Sequence, residues 1–492
     1  MFLPLDIPPG FARGGTDLQS SGRWRDGSLI RWRNGILQPV GGWEEKASST
    51  AAGTVRGALA WQDNSADRWL ALGSPAALEV MGADGTLYDI TPSGLTGGIT
   101  DAAYNTGYGG GIYGAGLYGT PRPEGATLSE ATTWSLDTWG EYLIACSIAD
   151  GVIYEWQLNT GVDAAAVANA PTDCSSAFVT EERFLVALAP DGDVRRIEWS
   201  DRENNTVWTP AVTNEAGGFT LSTGGKIMQG LRTRGQSLIL TDIDAHAMTF
   251  VGSPYVYGFE RVGMSCGAVS RLAAAAVAAG VMWMGQKGFF LYAGGSVQPV
   301  PCEVGDYVFR NINQQQISKV VAVPNAANQE IWWFYPSSGS TECDSYVALN
   351  FVEGHWLIGM LPRTAGADAG VFRDPIWVAP NGTVYAQETG SAIGTASAAY
   401  VESGPFALGN GDQFIHANSL IPDELSQGNV VVTFKSRYYP NADEIEYGPY
   451  SMAAPTDVRF GGRQVRILVE GAQMSAWRWG IPRLDVVAGE GR

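Results

Sequence analysis

The sequence has little of what most enzymes and membrane proteins need. Charged residues make up 16% of its 492 residues, against a usual quarter. It has five cysteines and three histidines (His246, His355 and His416), with no histidine close to another. No Cys-x-x-Cys, His-Glu-x-x-His or Gly-x-Ser-x-Gly pattern occurs. The absence of these motifs argues against a disulfide framework, a zinc site and a hydrolase triad. The sequence therefore predicts no metal and no cofactor.

Long apolar runs are also missing. No segment reaches the roughly 18 apolar residues of a membrane helix, and the Ala-rich stretch 272–284 is too short. The first ten residues, MFLPLDIPPG, have neither a basic region nor a long apolar core, which does not fit a signal peptide. We therefore expect a protein without a membrane span that folds in a reducing cytoplasm.

Positive charge is scarce and unevenly placed. The chain has 31 basic and 50 acidic residues, a net charge of −19, and such a surface repels the phosphates of nucleic acid. This argues against tight DNA binding but not against DNA passing by. Residues 1–36 are basic by contrast, and their arginines could dock onto an acidic neighbour, although an ordinary surface segment is the alternative. The candidate contacts here are Arg23, Arg25, Arg31 and Arg33.

What is abundant is glycine and aromatic residues. There are 63 glycines and 17 tryptophans, and aromatics make up 11% of the chain. This composition is typical of many short strands joined by tight turns, whereas long amphipathic helices would need more Glu, Lys and Leu. The composition predicts an all-β protein, with one short helix at about 306–318.

A two-part unit recurs along the chain. An apolar strand is followed by an Asp-Gly or similar turn and a strand containing Tyr or Trp. The strand anchors are Trp69, Tyr142, Phe184, Leu238, Trp283, Trp332 and Trp377. Their spacings are 73, 42, 54, 45, 49 and 45 residues. Five of the six spacings match the roughly 40–50 residues of a four-stranded propeller blade, which predicts six or seven blades. An array of β-sandwiches is the alternative.

The longest spacing contains an insertion. Residues 104–122 form a Tyr-Gly low-complexity segment whose aromatics are Tyr104, Tyr108, Tyr113 and Tyr118. Glycines that present aromatic side chains make an adaptable contact surface, so these four are candidate partner contacts. A long turn packed on its own domain is the equal alternative.

The last hundred residues differ from the repeats. After a small-residue stretch at 391–400 come strand-like runs such as 430–435 and 465–469. We therefore expect an arm over residues 1–50 that closes onto the propeller, a propeller-like domain over 51–390 and a C-terminal β-sandwich over 391–492.

Several runs resemble predicted structural proteins encoded among phage tail genes. They include IPPGF at 7–11, LIRWRNG at 29–35, PVGGW at 39–43 and EIWWFYPS at 330–337. A short basic arm followed by propeller repeats is similar to the tail nozzle, or tail hub, of short-tailed bacteriophages.

That resemblance implies a virion structural protein and not an enzyme. It implies a homo-oligomeric ring, with a hexamer as the first expectation, around the DNA exit channel used for genome ejection. Portal or adaptor proteins would bind on one side and tail fibre or tail tip proteins on the other. Assembly would take place in the bacterial host cytoplasm.

Two alternatives stay open from the residues alone. One is a receptor- or glycan-binding propeller of a tail fibre or baseplate. The other is a glycosidase, since fifty acidic residues guarantee some carboxylate pairs. Only residues 135–140 approach the repeated Asp-box turn of sialidase-type propellers, and they do so once.

Overall fold

Strands make up most of the ordered structure in the computed structural model, which describes residues 1–105, 127–390, 399–407, 414–425, 428–471 and 476–489. The α-helical content of these residues is one short element, α1 (Gly305–Asn311), followed by a 3₁₀ turn at Gln314–Lys319. The all-β prediction is confirmed, and the helix expected near 306–318 is split into these two pieces. None of the helices described is long and apolar enough to cross a membrane.

The first fifty residues contribute five strands and a 3₁₀ turn at Asp17–Ser20. The strands are β1 (Phe2–Pro4), β2 (Trp24–Ser28), β3 (Ile30–Arg33), β4 (Ile36–Pro39) and β5 (Trp43–Glu45). β3 and β4 pair as a hairpin, while the other three join sheets formed elsewhere in the chain.

Residues 58–387, together with β5, form seven antiparallel blades. Blade one comprises β6 (Ala58–Gln62), β7 (Arg68–Gly73), β8 (Leu78–Gly82) and β9 (Leu87–Asp89). The insertion then contributes a small hairpin, β10 (Ala103–Asn105) and β11 (Thr127–Ser129). Blade two comprises β12 (Trp134–Trp139), β13 (Tyr142–Ser147), β14 (Ile153–Trp156) and β15 (Ala165–Ala166). Blade three comprises β16 (Ser176–Val179), β17 (Leu185–Leu188), β18 (Arg196–Trp199) and β19 (Gly217–Thr220).

The remaining blades follow the same pattern. Blade four comprises β20 (Ile227–Thr233), β21 (Gln236–Thr241), β22 (Asp244–Gly252) and β23 (Val256–Met264). Blade five comprises β24 (Ala274–Val277), β25 (Gly280–Met284), β26 (Phe289–Ala293) and β27 (Ser296–Val300). Blade six comprises β28 (Val321–Asn325), β29 (Glu330–Pro336), β30 (Cys343–Asn350) and β31 (Trp356–Met360). Blade seven comprises β32 (Ala365–Ala367), β33 (Ile376–Val378), β34 (Val384–Gln387) and β5.

The repeat anchors share one place in the blades. Six of the seven lie in the second strand of a blade, and Phe184 lies directly before the second strand of blade three. The turns follow local chemistry: in blade one, the Asp84 carboxylate accepts bonds from Thr86 N and Oγ1, and Gly85 adopts a φ of +85°. The fixed spacing in the sequence therefore reports one structural position per blade.

The blades close into a ring. Each first strand contacts the first strand of the next blade, and β32 of blade seven contacts β6 of blade one. The outermost strand of blade seven is β5, from the N-terminal segment, so the ring is closed by a strand that precedes blade one. Apolar clusters fill the seams between blades, and Trp332 and Trp333 illustrate this. Trp332 packs on Trp377 of blade seven, while Trp333 packs on Phe289 of blade five.

The C-terminal residues form the second domain. Its strands are β35 (Tyr400–Ser403), β36 (Phe406–Ala407), β37 (Ile415–Ile421), β38 (Val430–Arg437), β39 (Ile445–Ser451), β40 (Thr456–Gly462), β41 (Gln464–Gly471) and β42 (Arg483–Ala488). One sheet has the order β1-β42-β37-β40, and the other has β2-β35-β41-β38-β39 with β36 beside β41. Their inner faces share buried residues such as Leu420, Phe434 and Val469, which makes the pair a β-sandwich. The predicted propeller with a C-terminal sandwich is confirmed.

The N-terminal segment is shared between the two domains. β1 and β2 pair with sandwich strands β42 and β35, whereas β5 completes blade seven. We expected residues 1–50 to close onto the propeller; β5 adds a strand to blade seven, while β1 and β2 join the sandwich.

Candidate functional site at the propeller axis

The first strands of blades one to five line a small tunnel-like cavity near the axis of the ring. In it, the Asp137 carboxylate of blade two accepts a bond from Arg232 Nη2 of blade four at 2.5 Å and from Val179 N of blade three at 2.8 Å. Burial raises the pKa of Asp137, and Arg232 offsets only part of that shift. Asp137 thus ties blade two to both blade three and blade four near the axis.

The free space in the tunnel is a cavity of about 280 Å³, lined by the inner strands of blades one to five. Duplex DNA is about 20 Å wide, and the Asp137 bonds to blades three and four beside this small cavity leave no opening of that width along the axis of one propeller.

The mouth where the first strands begin is crossed by the two stems of the Tyr-Gly insertion. Ala102 on the outgoing stem exchanges bonds of 2.9 Å with the Gln316 side chain, which precedes blade six. Ala131 on the returning stem donates to Ser318 Oγ at 3.3 Å. The insertion lies between blades one and two, so its stems span the axis to reach the far side of the ring.

Carboxylates on both stems are ion-paired with cations that precede inner strands. Glu130 contacts Lys226 of blade four and Arg271 of blade five. Asp101 contacts Lys319 of blade six, an amine with no solvent exposure. Burial raises the pKa of Glu130, but Arg271 and Lys226 together hold it below its ordinary value of 4.5. We call residues 99–102 and 129–132, with these partners, the axial plug.

A second ion cluster extends the axial plug toward blade one. Arg56, which is 1% exposed, donates to Glu342 Oε1 at 2.7 Å and also contacts Thr100 O. Lys319 Nζ donates to Thr341 O at 2.6 Å and lies 3.6 Å from Glu342. Burial raises the pKa of Glu342, but Arg56 and Lys319 hold it below its ordinary value. Sequence reasoning missed these residues because each is separated from its partner by long stretches of chain.

Of the four candidate tyrosines, only Tyr104 lies among the described residues. Tyr104 is 43% exposed in β10, where it pairs with Leu128 of β11. Tyr108, Tyr113 and Tyr118 lie outside the described residues. The structure thus places the root of the Tyr-Gly insertion on the propeller axis.

The candidate arginines of the N-terminal segment do not form a free basic patch. Arg23 pairs with Glu303 at 2.5 Å, and Arg25 pairs with Asp17 at 3.0 Å. Arg33 is exposed. Arg31 is 3% exposed and bonds to Glu330 at 3.0 Å and to Glu388 at 2.5 Å. Three of the four guanidinium groups therefore already hold a carboxylate of this chain.

The Arg31 contacts fasten the N-terminal segment to the propeller. Glu330 begins β29 of blade six, and Glu388 follows β34 of blade seven. Burial raises the pKa of Glu330 to about 7, against the lowering effect of Arg31. Burial likewise raises the pKa of Glu388, but Arg31 holds it below its ordinary value. The sequence singled out Arg31 within the run LIRWRNG, but it gave no sign that this arginine is buried.

The described residues include no group of three or more His, Cys, Asp or Glu side chains placed to hold a metal ion. All five cysteines are free thiols, and burial raises the pKa of each. The site is thus built from ion pairs and amide hydrogen bonds.

No family model and no curated protein matches the chain. Among solved structures, it is similar to virginiamycin B lyase from Staphylococcus aureus, with 8% identity and a TM-score of 0.43 over 70% of this chain and 97% of that one. It is also similar to PorZ of the type-IX secretion system of Porphyromonas gingivalis, with 9% identity and a TM-score of 0.37 over 84% of this chain and 46% of that one. It is similar as well to YCF48 bound to D1 peptide, with 10% identity and a TM-score of 0.39 over 70% of this chain and 96% of that one. At these scores the likenesses carry no argument about function, and the propeller assignment stands on the strand pairing above.

Proposed function

We propose that this protein is a structural component of a bacteriophage tail. It acts as a nozzle or hub subunit that assembles with further copies into a ring around the DNA exit channel. Portal or adaptor proteins bind the ring on one side, and tail fibre or tip proteins bind it on the other. In this proposal the protein has a structural role, without catalysis, and it acts in the virion tail.

The observation that carries the proposal is the path of the first fifty residues. This segment supplies strands to both sandwich sheets and to blade seven, and Arg31 ties it to two blades through buried ion pairs. A chain threaded this way resists separation of its two domains, because parting them would break strand pairing and expose buried charge. Rigidity of this kind suits a part that holds its shape while DNA under pressure passes by. The tail-protein runs quoted from the sequence lie in the same segment and in β29.

The DNA path in this proposal lies between copies. The axial plug and the 280 Å³ tunnel cavity leave no room for duplex within one propeller. Residues 51–390 contain 34 acidic and 17 basic residues, a net charge of −17, so propeller surfaces facing a shared channel would repel phosphate. DNA would then move through the ring without tight binding.

The test is electron microscopy of the full-length protein, alone and mixed with disrupted tails. We expect rings with a central hole of roughly 20 Å or more, the width of B-DNA. Monomers that never assemble and never join tail particles would overturn the proposal. Rings with a hole narrower than duplex DNA would overturn the conduit role.

A further inference from the structure

An open groove of about 620 Å³ crosses the outer face of one sandwich sheet. Its floor is formed by β37 and the edge strand β40, and Tyr447 of β39 lies at its side. His416 and Asn418 project into it from β37, and Asp457 and Arg459 project from β40. The register pairs His416 with Gly461, and the strands slip by one residue between Ala417 and Ser419, which brings Asn418 beside the β40 side chains.

The polar groups of this groove have no partners among the described residues. Neither a hydrogen bond nor an ion pair within that part of the chain engages the side chains of Asn418, Asp457 or Arg459, and all three are exposed. The other sandwich sheet differs, since Lys435, Arg437 and Arg466 there are ion-paired with Asp17, Glu402 and Glu444. The groove thus presents a carboxylate, a guanidinium and an amide that no described residue engages.

Aromatic rings lead into one end of the groove. Phe414 lies 4.8 Å from the ring of His416 and stacks on Tyr438 at 5.3 Å with an interplanar angle of 25°. Glycine at 461 permits this packing, because a Cβ there would lie 2.6 Å from the Phe414 ring. Tyr438 is 52% exposed, so much of its ring is open to solvent.

Polar side chains beside an aromatic shelf match the chemistry of a sugar chain. A pyranose ring has an apolar face of C–H groups that packs on an aromatic ring, and its edge hydroxyls bond to carboxylate, amide and guanidinium groups. A few convergent polar groups in a concave surface are also the usual arrangement of a ligand site. We infer that this groove binds a bacterial cell-surface polysaccharide, with Tyr438 and His416 stacking on sugar rings and Asn418, Asp457 and Arg459 bonding to hydroxyls. The choice of a bacterial polysaccharide rests on the proposed tail role, whereas sugar binding in the groove does not depend on ring assembly.

The experiment measures binding of the full-length protein to immobilised, purified bacterial lipopolysaccharides and capsular polysaccharides. We expect at least one to bind, and expect Asp457→Asn, Arg459→Gln and Tyr438→Ala each to weaken that binding by about tenfold or more. Matched controls are Arg483→Gln, an exposed arginine on β42 of the same sheet, and Tyr439→Ala beside Tyr438. These should leave binding within about twofold.

Hydrogen exchange of the complex provides a second measurement. Bound polysaccharide should slow exchange in β37 and β40 and leave β38 and β41 unchanged. Silence across the whole panel would overturn the inference, as would binding that the three groove variants leave intact. Ring assembly is scored separately by microscopy on the same variants. The groove and the proposed tail role can therefore fail independently.

Discussion

Most strands of the propeller pair with near neighbours in sequence, whereas the two sandwich sheets each include a strand, β1 or β2, that pairs across almost the whole chain. In blade one, Trp61 lies opposite Trp69, eight residues away. In the sandwich, Phe2 lies opposite Asp485 and Trp24 lies opposite Ser403. Closing short loops costs little conformational entropy, so a blade can form from its own residues, while the sandwich needs both ends of the chain together.

The N-terminal segment connects the locally paired blades with the sandwich, whose pairing spans the chain. Its strand β5 completes a ring of locally built blades, and its strands β1 and β2 complete a non-local sandwich. The blades thus carry the sequence repeat, whereas the first fifty residues hold the blades and the sandwich to each other.

Replacing Arg31 with methionine should loosen the N-terminal segment from the propeller. Removing the guanidinium leaves Glu330, which is 1% exposed, without its buried ion pair, and such losses cost about 3–5 kcal/mol. We expect that decrease in the free energy of unfolding, measured by denaturant titration. Arg33→Met, at an exposed position two residues away, should change it by less than about 0.5 kcal/mol. A loss under about 1 kcal/mol for Arg31→Met would remove the fastening role assigned to this residue.

Leu5→Ala should destabilise mainly the sandwich domain. Leu5 is 3% exposed directly after β1, and truncating a buried leucine costs about 2–3 kcal/mol. Hydrogen exchange should show faster exchange in β37 and β42, with the inner blade strands unchanged. Leu18→Ala, at a site that is 46% exposed, is the control. Equal loss of protection in all seven blades would show that the domains unfold as one unit.

Glu130→Gln should loosen the axial plug without opening the blades. It removes ion pairs to Lys226 and Arg271 at a site that is 21% exposed, and we expect a loss of about 1–2 kcal/mol. Faster exchange should appear in β10 and β11, while first-strand amides of blades two and three stay protected. Glu181→Gln, at an exposed position, should have little effect. Wild-type exchange in β10 and β11 of Glu130→Gln would show that the ion pairs do not hold the stems.

The same residue predicts a small pH effect of defined sign. Because the folded-state pKa of Glu130 lies below 4.5, its stabilising contribution is present above that pH and fades as the pH falls below it. The stability gap between wild type and Glu130→Gln should therefore narrow by about 0.5 kcal/mol between pH 7 and pH 4, by urea titration at both values. A gap that widens on acidification would contradict this assignment.

Local patterns in the sequence determined the blades. Strand alternation, Asp-Gly turns and a 42–54-residue period are all properties of short segments, so the seven anchors mark one position in each blade from the sequence alone. The sandwich strands were predictable for the same reason, as runs of β-forming residues between turns.

The way in which those pieces meet follows from the three-dimensional structure. That β5 completes blade seven, that Arg31 is buried between two carboxylates, and that Glu130 and Asp101 close the propeller axis all depend on partners distant in sequence. The ion pair between Asp101 and Lys319 gives no periodic pattern in the sequence, because each residue by itself resembles an ordinary polar residue beside a turn. The sequence determined the repeating units through local conformational preference, and the structure decided their closure through long-range charge pairing and strand exchange.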